Sequence, residues 1–292
     1  ERVLGDRMAS MREIKRRKDS IANTQQITKA MKLVATVKLQ KARGKAEEGK
    51  PYSEFVYNVV RSILAKTPGI DHPYLKSGNG GKHAAIVITS NRGLAGGYNS
   101  NLVKLVMQKN WPKDQVEIYA IGRKGRDALE RQGYKIAEDY SEVINEPLYK
   151  DAMEIGSKLL KEYKNGQVGE IHLFYTSFKN TVTHIPTVKR LLPVEDMSGE
   201  QIPADAQAIM NYEPDEETVL NAVIPKYMTS LIYGALLESL ASENGARMAA
   251  MDAATGNAEE MIEELALLYN RARQGTITQE LTEIIAGAQA IQ

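Results

Sequence analysis

The chain has 292 residues, no cysteine, and a formal net charge of +1 from 38 basic and 37 acidic side chains. The missing cysteine excludes a disulfide framework, thiolate metal sites and cysteine catalysis, while 42% hydrophobic residues are ample for a buried core. Aromatic residues are sparse and Ala, Leu, Glu and Lys abound, a balance that leans towards long packed helices. No stretch approaches the roughly 18 to 20 apolar residues of a membrane-spanning helix, and no charged-then-apolar signal peptide opens the chain.

The near-zero net charge hides an asymmetry. Glu1 to Lys50 carries 14 Lys or Arg against 6 Asp or Glu, net +8, and Leu236 to Gln292 carries 3 against 9, net −6. Both ends also carry apolar stripes, which solvated tails lack, so two helices of opposite charge lying side by side account for the pattern better than a basic nucleic-acid arm with an acidic tail.

In chain order, Glu1 to Arg7 reads as a polar lead-in outside the fold. Ser10 to Ala65 then repeats apolar or small residues every seven positions, at Ile14, Ile21, Thr28, Ala35 and Ala42, flanked by Ile27, Met31 and Val34. This predicts a long amphipathic helix with a kink at Gly49-Lys50-Pro51, continued by Phe55, Val59 and Ile63 and stopped at Thr67-Pro68-Gly69.

From about Gly78 to Ala206 the period changes. Ala84–Thr89, Val116–Ile121 and Ile171–Tyr175 are β-rich runs, separated by helical stretches near Asn101–Lys109, Arg123–Gln132 and Leu148–Lys164. The alternation is βαβ, and Thr183–Leu192 reads as the second arm of a hairpin with Ile171–Phe178 at a sheet edge.

A last helix starts at Pro214, with Asp215, Glu216 and Glu217 in its first turn. Its seam runs through Met251, Ala254, Ala258, Met261, Leu265, Leu268 and Ala272, in steps of three and four. The stripe then jumps by five to Ile277, Leu281, Ile284, Ala288 and Ile291, which reads as a phase shift at Arg271–Gly275. From Ile284 onward nothing is charged, so other protein is expected to enclose the tip. The fold class is therefore mixed α/β: an antiparallel coiled coil of residues 8–77 and 207–292, with an inserted Rossmann-like domain at 78–206.

The chemistry candidates sit in the inserted domain. Arg92-Gly93-Leu94-Ala95-Gly96-Gly97 stands where dinucleotide enzymes keep a phosphate loop, but its spacing is G-x-x-G-G and Glu117 opens the next strand rather than closing it. Gly81-Lys82-His83 shares only Gly-Lys with a Walker loop. The four histidines, His72, His83, His172 and His184, fall at no metal-ligand spacing, and none shares a short segment with a second histidine or a zinc-type carboxylate. Glu259-Glu260 and Glu263-Glu264 recur at helical spacing as a solvated flank. No catalytic residue, cofactor or metal is expected.

Several segments together resemble the gamma subunits of F-type ATP synthases: Met11 to Arg17, Gln26 to Met31, Asn91 to Gly97, Glu243 to Asn257, and Tyr269 to Gln274 with Ile277 to Ile284. The resemblance runs from about Met8 to the end. It implies a non-catalytic central rotor shaft, whose terminal helices coil inside three alpha and three beta subunits, beside an epsilon subunit, with the α/β domain near the c-ring of the membrane sector.

By motif position it implies that Arg273, Gln274, Thr278 and Glu280 bond a beta-subunit loop. Met31 and Arg247 would face an acidic beta-subunit segment, Arg92 belongs to a collar loop near it, and Tyr212 and Glu213 to the foot over the ring. Ala95 stands where many relatives carry cysteine and the chloroplast insertion is absent, so thiol regulation is not expected. A bacterial chain peripheral to the cytoplasmic face of the cell membrane is implied. Two other classes make distinct demands: a dinucleotide-binding enzyme must bind NAD or ATP, and a nucleic-acid-binding coiled coil using Lys15 to Lys18 must show salt-dependent affinity.

Overall fold

The computed structural model describes residues 2–66, 70–78, 81–181, 183–194 and 215–291. It contains α1 (Arg2–Lys66), β1 (His83–Ile88), α2 (Tyr98–Met107), β2 (Val116–Ile121), α3 (Arg123–Arg131), β3 (Lys135–Asp139), α4 (Tyr149–Lys164), β4 (Glu170–Phe178), β5 (His184–Leu192) and α5 (Glu216–Ile291). The chain divides into two compact units, residues 1–34 with 248–292, and residues 35–247.

In the first unit α1 and α5 pair antiparallel. Thr28 and Thr255 share a hydroxyl–hydroxyl hydrogen bond of 2.8 Å, and Lys32 meets Asp252 at 2.6 Å, so numbers rise along one helix as they fall along the other. On α5 the inward positions are Met251, Thr255, Ala258, Ile262, Leu265, Tyr269, Ala272, Thr276 and Gln279. Their steps alternate four and three without a break, as a left-handed two-helix seam requires.

This corrects two expectations. Met261 and Leu268 lie outside the seam at 40% and 49% exposure, and no phase shift occurs at Arg271–Gly275, since Thr276 is buried in register at 5%. The seam keeps its period by using small and polar residues, while Ile277, Leu281 and Ile284 turn outwards. Two helix boundaries also differ. α1 already begins at Arg2, so the polar lead-in is helical, and Pro51 lies inside the helix. α5 is capped by Asp215, whose carboxylate accepts from the Thr218 N–H at 2.8 Å and the Thr218 hydroxyl at 3.0 Å. Pro214 lies outside the described residues.

The second unit is a three-layer α/β structure on a sheet of order β3-β2-β1-β4-β5, parallel except for the antiparallel β4–β5 hairpin. Alternation along the strands divides its core. Ala84, Ile86, Ile88, Ile171, Leu173 and Tyr175 face a layer made by α4 and the adjoining parts of α1 and α5, with Val60, Ile63, Leu159, Ile224, Met228 and Ile232 among its buried residues. Ala85, Val87 and Phe174 face α2 and α3, where Leu102, Val106 and Leu129 close the other side. Strand β3 escaped the sequence reading because Lys135-Ile136-Ala137-Glu138-Asp139 is a charged edge strand, the composition that discourages pairing with a further strand.

At the top of the sheet β1 and β2 deliver their ends to one crossing. Gly122 has φ +113 and its α-carbon faces the Thr89 carbonyl so closely that a Cβ there would stand 2.2 Å from the oxygen. The Thr89 hydroxyl donates to the Gly122 carbonyl at 3.1 Å and accepts from the Gly125 N–H at 2.9 Å, which fixes the first turn of α3 against β1.

Candidate functional site

In the second unit the loop after β1, residues Ser90 to Gly97, is held by its own polar groups. Ser90 donates from its hydroxyl to the Arg92 carbonyl at 2.7 Å, and its N–H donates to Asn99 Oδ1 at 2.9 Å. Asn91 reaches across to the Ser141 carbonyl at 2.7 Å and accepts from the Arg123 N–H at 3.0 Å. Leu94 and Gly96 take left-handed conformations, φ +61 and +55. A Cβ on Gly96 would meet nothing within 4 Å, so it is the positive φ of the turn that favours glycine here.

α5 ties the loop down from the other side. Arg247 Nη2 lies 3.4 Å from the Arg92 carbonyl and 3.3 Å from that of Gly93, and Nη1 donates to Glu243 Oε1 at 2.7 Å. The Tyr98 hydroxyl adds a bond to the Ser239 carbonyl at 3.2 Å. The ion pair is almost dry, with side-chain exposures of 12% for Arg247 and 10% for Glu243. Burial pushes the Glu243 carboxyl above the usual carboxylate range, and Arg247, with Lys38 and Arg92 at longer range, pulls it back down. Arg92 and Arg247, named separately from the sequence, thus come together, the side chain of one bonded to the backbone of the other.

In the first unit Arg273, Gln274, Thr278 and Glu280 all lie on exposed positions of α5. Thr278 turns its hydroxyl back to the Gln274 main-chain carbonyl at 2.9 Å, and Arg273 and Gln274 are exposed beside it. The exposed Ile277, Leu281, Ile284 and Ile285 accompany them, the last two at 68% and 57%. These four large apolar side chains stand exposed on a helix whose own seam lies elsewhere. Met31 sits half-buried on α1 of the same unit. Tyr212 and Glu213 lie outside the described residues.

Among the described residues no helix is long and apolar enough to cross a membrane. The fold and these surfaces define a class: an α/β domain inserted between the two helices of an antiparallel coiled coil that presents an outward apolar and polar face. The ATP synthase family profile matches residues 10–291. The ATP synthase gamma chain of Lachnoclostridium phytofermentans is 61% identical over 290 residues, covering 97% of this chain and all of its own, and that of Alkaliphilus metalliredigens is 44% identical, covering 97% and 99%.

Among solved structures, the central stalk and c-ring assembly of Tetrahymena thermophila mitochondrial ATP synthase aligns with a TM-score of 0.58 and 25% identity, covering 78% of this chain and 99% of that one. The rotor of Euglena gracilis mitochondrial ATP synthase shares the fold at a TM-score of 0.67 and 18% identity, covering 92% and 99%. The chain belongs to the ATP synthase gamma chain family, the central-stalk rotor subunits that couple rotation to the catalytic beta subunits without a catalytic site of their own. It associates with the ATP synthase complex.

Proposed function

We propose that this rotor engages its neighbours through residues on both units. The tip of α5, with Arg273, Gln274, Thr278 and Glu280, bonds a loop of one beta subunit, and the apolar stripe beside it turns within the collar of three alpha and three beta subunits. Met31 in the first unit and, separately, Arg247 in the second each face an acidic beta-subunit segment, with Arg92 in the collar loop near it; a methionine adapts to changing neighbours and an arginine supplies charge-assisted bonds. Tyr212 and Glu213 lie over the c-ring, next to the epsilon subunit. In functional terms residues 8–77 and 207–292 act as shaft and 78–206 as the membrane-proximal domain. The complex sits at the cytoplasmic face of a bacterial cell membrane.

One observation carries this reading: Ile277, Leu281 and Ile284 leave the intramolecular seam and stand exposed on the same stretch of α5 as Arg273 and Gln274. A buried-in-complex, exposed-in-isolation face is what a shaft tip inside a bearing needs. The Tetrahymena structure holds a central stalk together with a c-ring, which supports a c-ring as one neighbour.

Arg273→Ala with Gln274→Ala is expected to lower coupled ATP turnover of the reconstituted complex about tenfold, the loss of one charge-assisted hydrogen bond of roughly 1.5 kcal/mol or more. The isolated chain should keep its circular dichroism and melting temperature, because both side chains are exposed. Turnover unchanged from the parent complex would remove these residues from the coupling contact.

A further inference from the structure

At the lower edge of the sheet three potential ligands converge. His83 is the first residue of β1 and pairs in register with Glu170 on β4. Glu170 and His172, two apart on one strand, project to the same face. The short segment Glu170-x-His172 was available in the sequence and corrects the statement that no histidine has a nearby carboxylate; its second histidine, 89 positions away in the chain, arrives through the parallel pairing.

The donor atoms all lie within 4.8 Å of one another. Glu170 Oε2 is 2.8 Å from His172 Nε2 and 3.2 Å from His83 Nδ1. Around a tetrahedral ion with bonds of about 2.0–2.1 Å, donor atoms stand about 3.3 Å apart, so small side-chain adjustments suffice. One carboxylate oxygen already holds His172, while His83 Nδ1, buried 3.2 Å from the same oxygen, makes no well-aligned hydrogen bond. A buried ring nitrogen paired this poorly costs free energy that a better-placed partner would recover.

The rings are also held in place. Trp111 stacks on His83 with centroids 4.4 Å apart and planes 7° from parallel, and its ring lies 4.7 Å from that of His172. Little rotamer freedom remains to be lost on binding. Nothing in the rotor reading uses this cluster.

We propose that His83, Glu170 and His172 form a site for a divalent transition-metal cation of Zn²⁺ character, clipping β1 to β4 and leaving a fourth position for water. Two imidazoles and one carboxylate suit Zn²⁺ and Ni²⁺ over Ca²⁺ or Mg²⁺, which prefer all-oxygen sites. Lys109, whose ammonium lies 5.9 Å from the Trp111 ring centre, opposes the added charge.

Trp111 is the sole tryptophan, so its emission reports on the site directly. Titrating the full chain with Ni²⁺ should quench that emission saturably, Zn²⁺ should compete, and calorimetry with Zn²⁺ should give one ion per chain. His172→Ala and Glu170→Gln are each expected to weaken binding by roughly 100-fold, and His184→Ala to leave it unchanged. If His172→Ala does not fold, His83→Gln at the half-buried start of β1 takes its place and should weaken binding similarly. Absence of saturable quenching and heat in the parent chain, or affinity unchanged from the parent in the His83 and Glu170 variants, overturns the proposal.

Discussion

Gly122→Ala is expected to cost about 3–5 kcal/mol of folding stability, from a φ of +113 that an alanine adopts only under strain and from a new methyl driven into the Thr89 carbonyl. The site has no soft direction in which to relax. The opposing atoms are backbone, and Thr89 is itself held by hydrogen bonds to Gly122 and Gly125. Chemical denaturation of the isolated chain should show the midpoint falling with little change in slope. A loss below about 1 kcal/mol, within the range of an ordinary surface substitution, would mean that the crossing of β1 and β2 yields far more readily than its geometry indicates.

Arg247→Ala comes next in size. It leaves the Glu243 carboxylate buried beside the loop with only the more distant Lys38 and Arg92 to offset its desolvation. Removing one member of a buried pair costs about 3–5 kcal/mol. The sign with pH follows from the shift. Glu243 is raised above its ordinary value of 4.5 in the folded chain, so the native state holds the proton more tightly than the unfolded chain does. The stability it confers is complete below the unfolded pKa and is lost as pH rises through the folded one.

Taking Arg247 away raises the folded value further and widens that window upwards. The substitution should therefore cost about 3 kcal/mol at pH 8 and roughly half as much at pH 5, where the carboxyl can protonate. Urea titrations at the two pH values check this, and Glu243→Gln in the same chain should recover most of the loss at pH 8. Equal losses at both pH values would show that the hydrogen bonds to the Arg92 and Gly93 carbonyls, and not the ion pair, are what Arg247 contributes.

The parts of the fold that the residues announced are those in which hydrophobicity and period agree. Ile14, Ile21, Thr28, Ala35 and Ala42 mark one line on α1, and the buried strands β1, β2 and β4 are centred on the apolar stretches Ala84–Ile88, Ile118–Ile121 and Leu173–Tyr175, as strands covered on both faces tend to be. Agreement failed where one of the two was missing. β3 lacks the apolar signal because a sheet edge carries charge. At the tip of α5 the apolar residues are plain but follow a different line from the seam, for hydrophobicity tells that a side chain wants cover and not which molecule provides it.

The candidate site divides in the same way. Arg92 and Arg247 could be named one by one from motif position, but their meeting depends on α5 passing the loop, which no spacing along the chain encodes. His83 and Glu170 meet because two parallel strands happen to align at their first residues, again a fact of register and not of sequence distance.

The outward stripe at the end of α5 bears on how such a chain is made. A polypeptide released before its neighbours are available carries Ile277, Leu281, Ile284 and Ile285 uncovered, without a charge from Ile284 onward to keep copies apart. Overproduced alone it should self-associate increasingly as its concentration rises, while staying monomeric when dilute, and co-synthesis with the catalytic subunits should suppress the association. Matched dosage is therefore written into four side chains: the same residues that suit the finished machine penalise any cell that makes this part in excess.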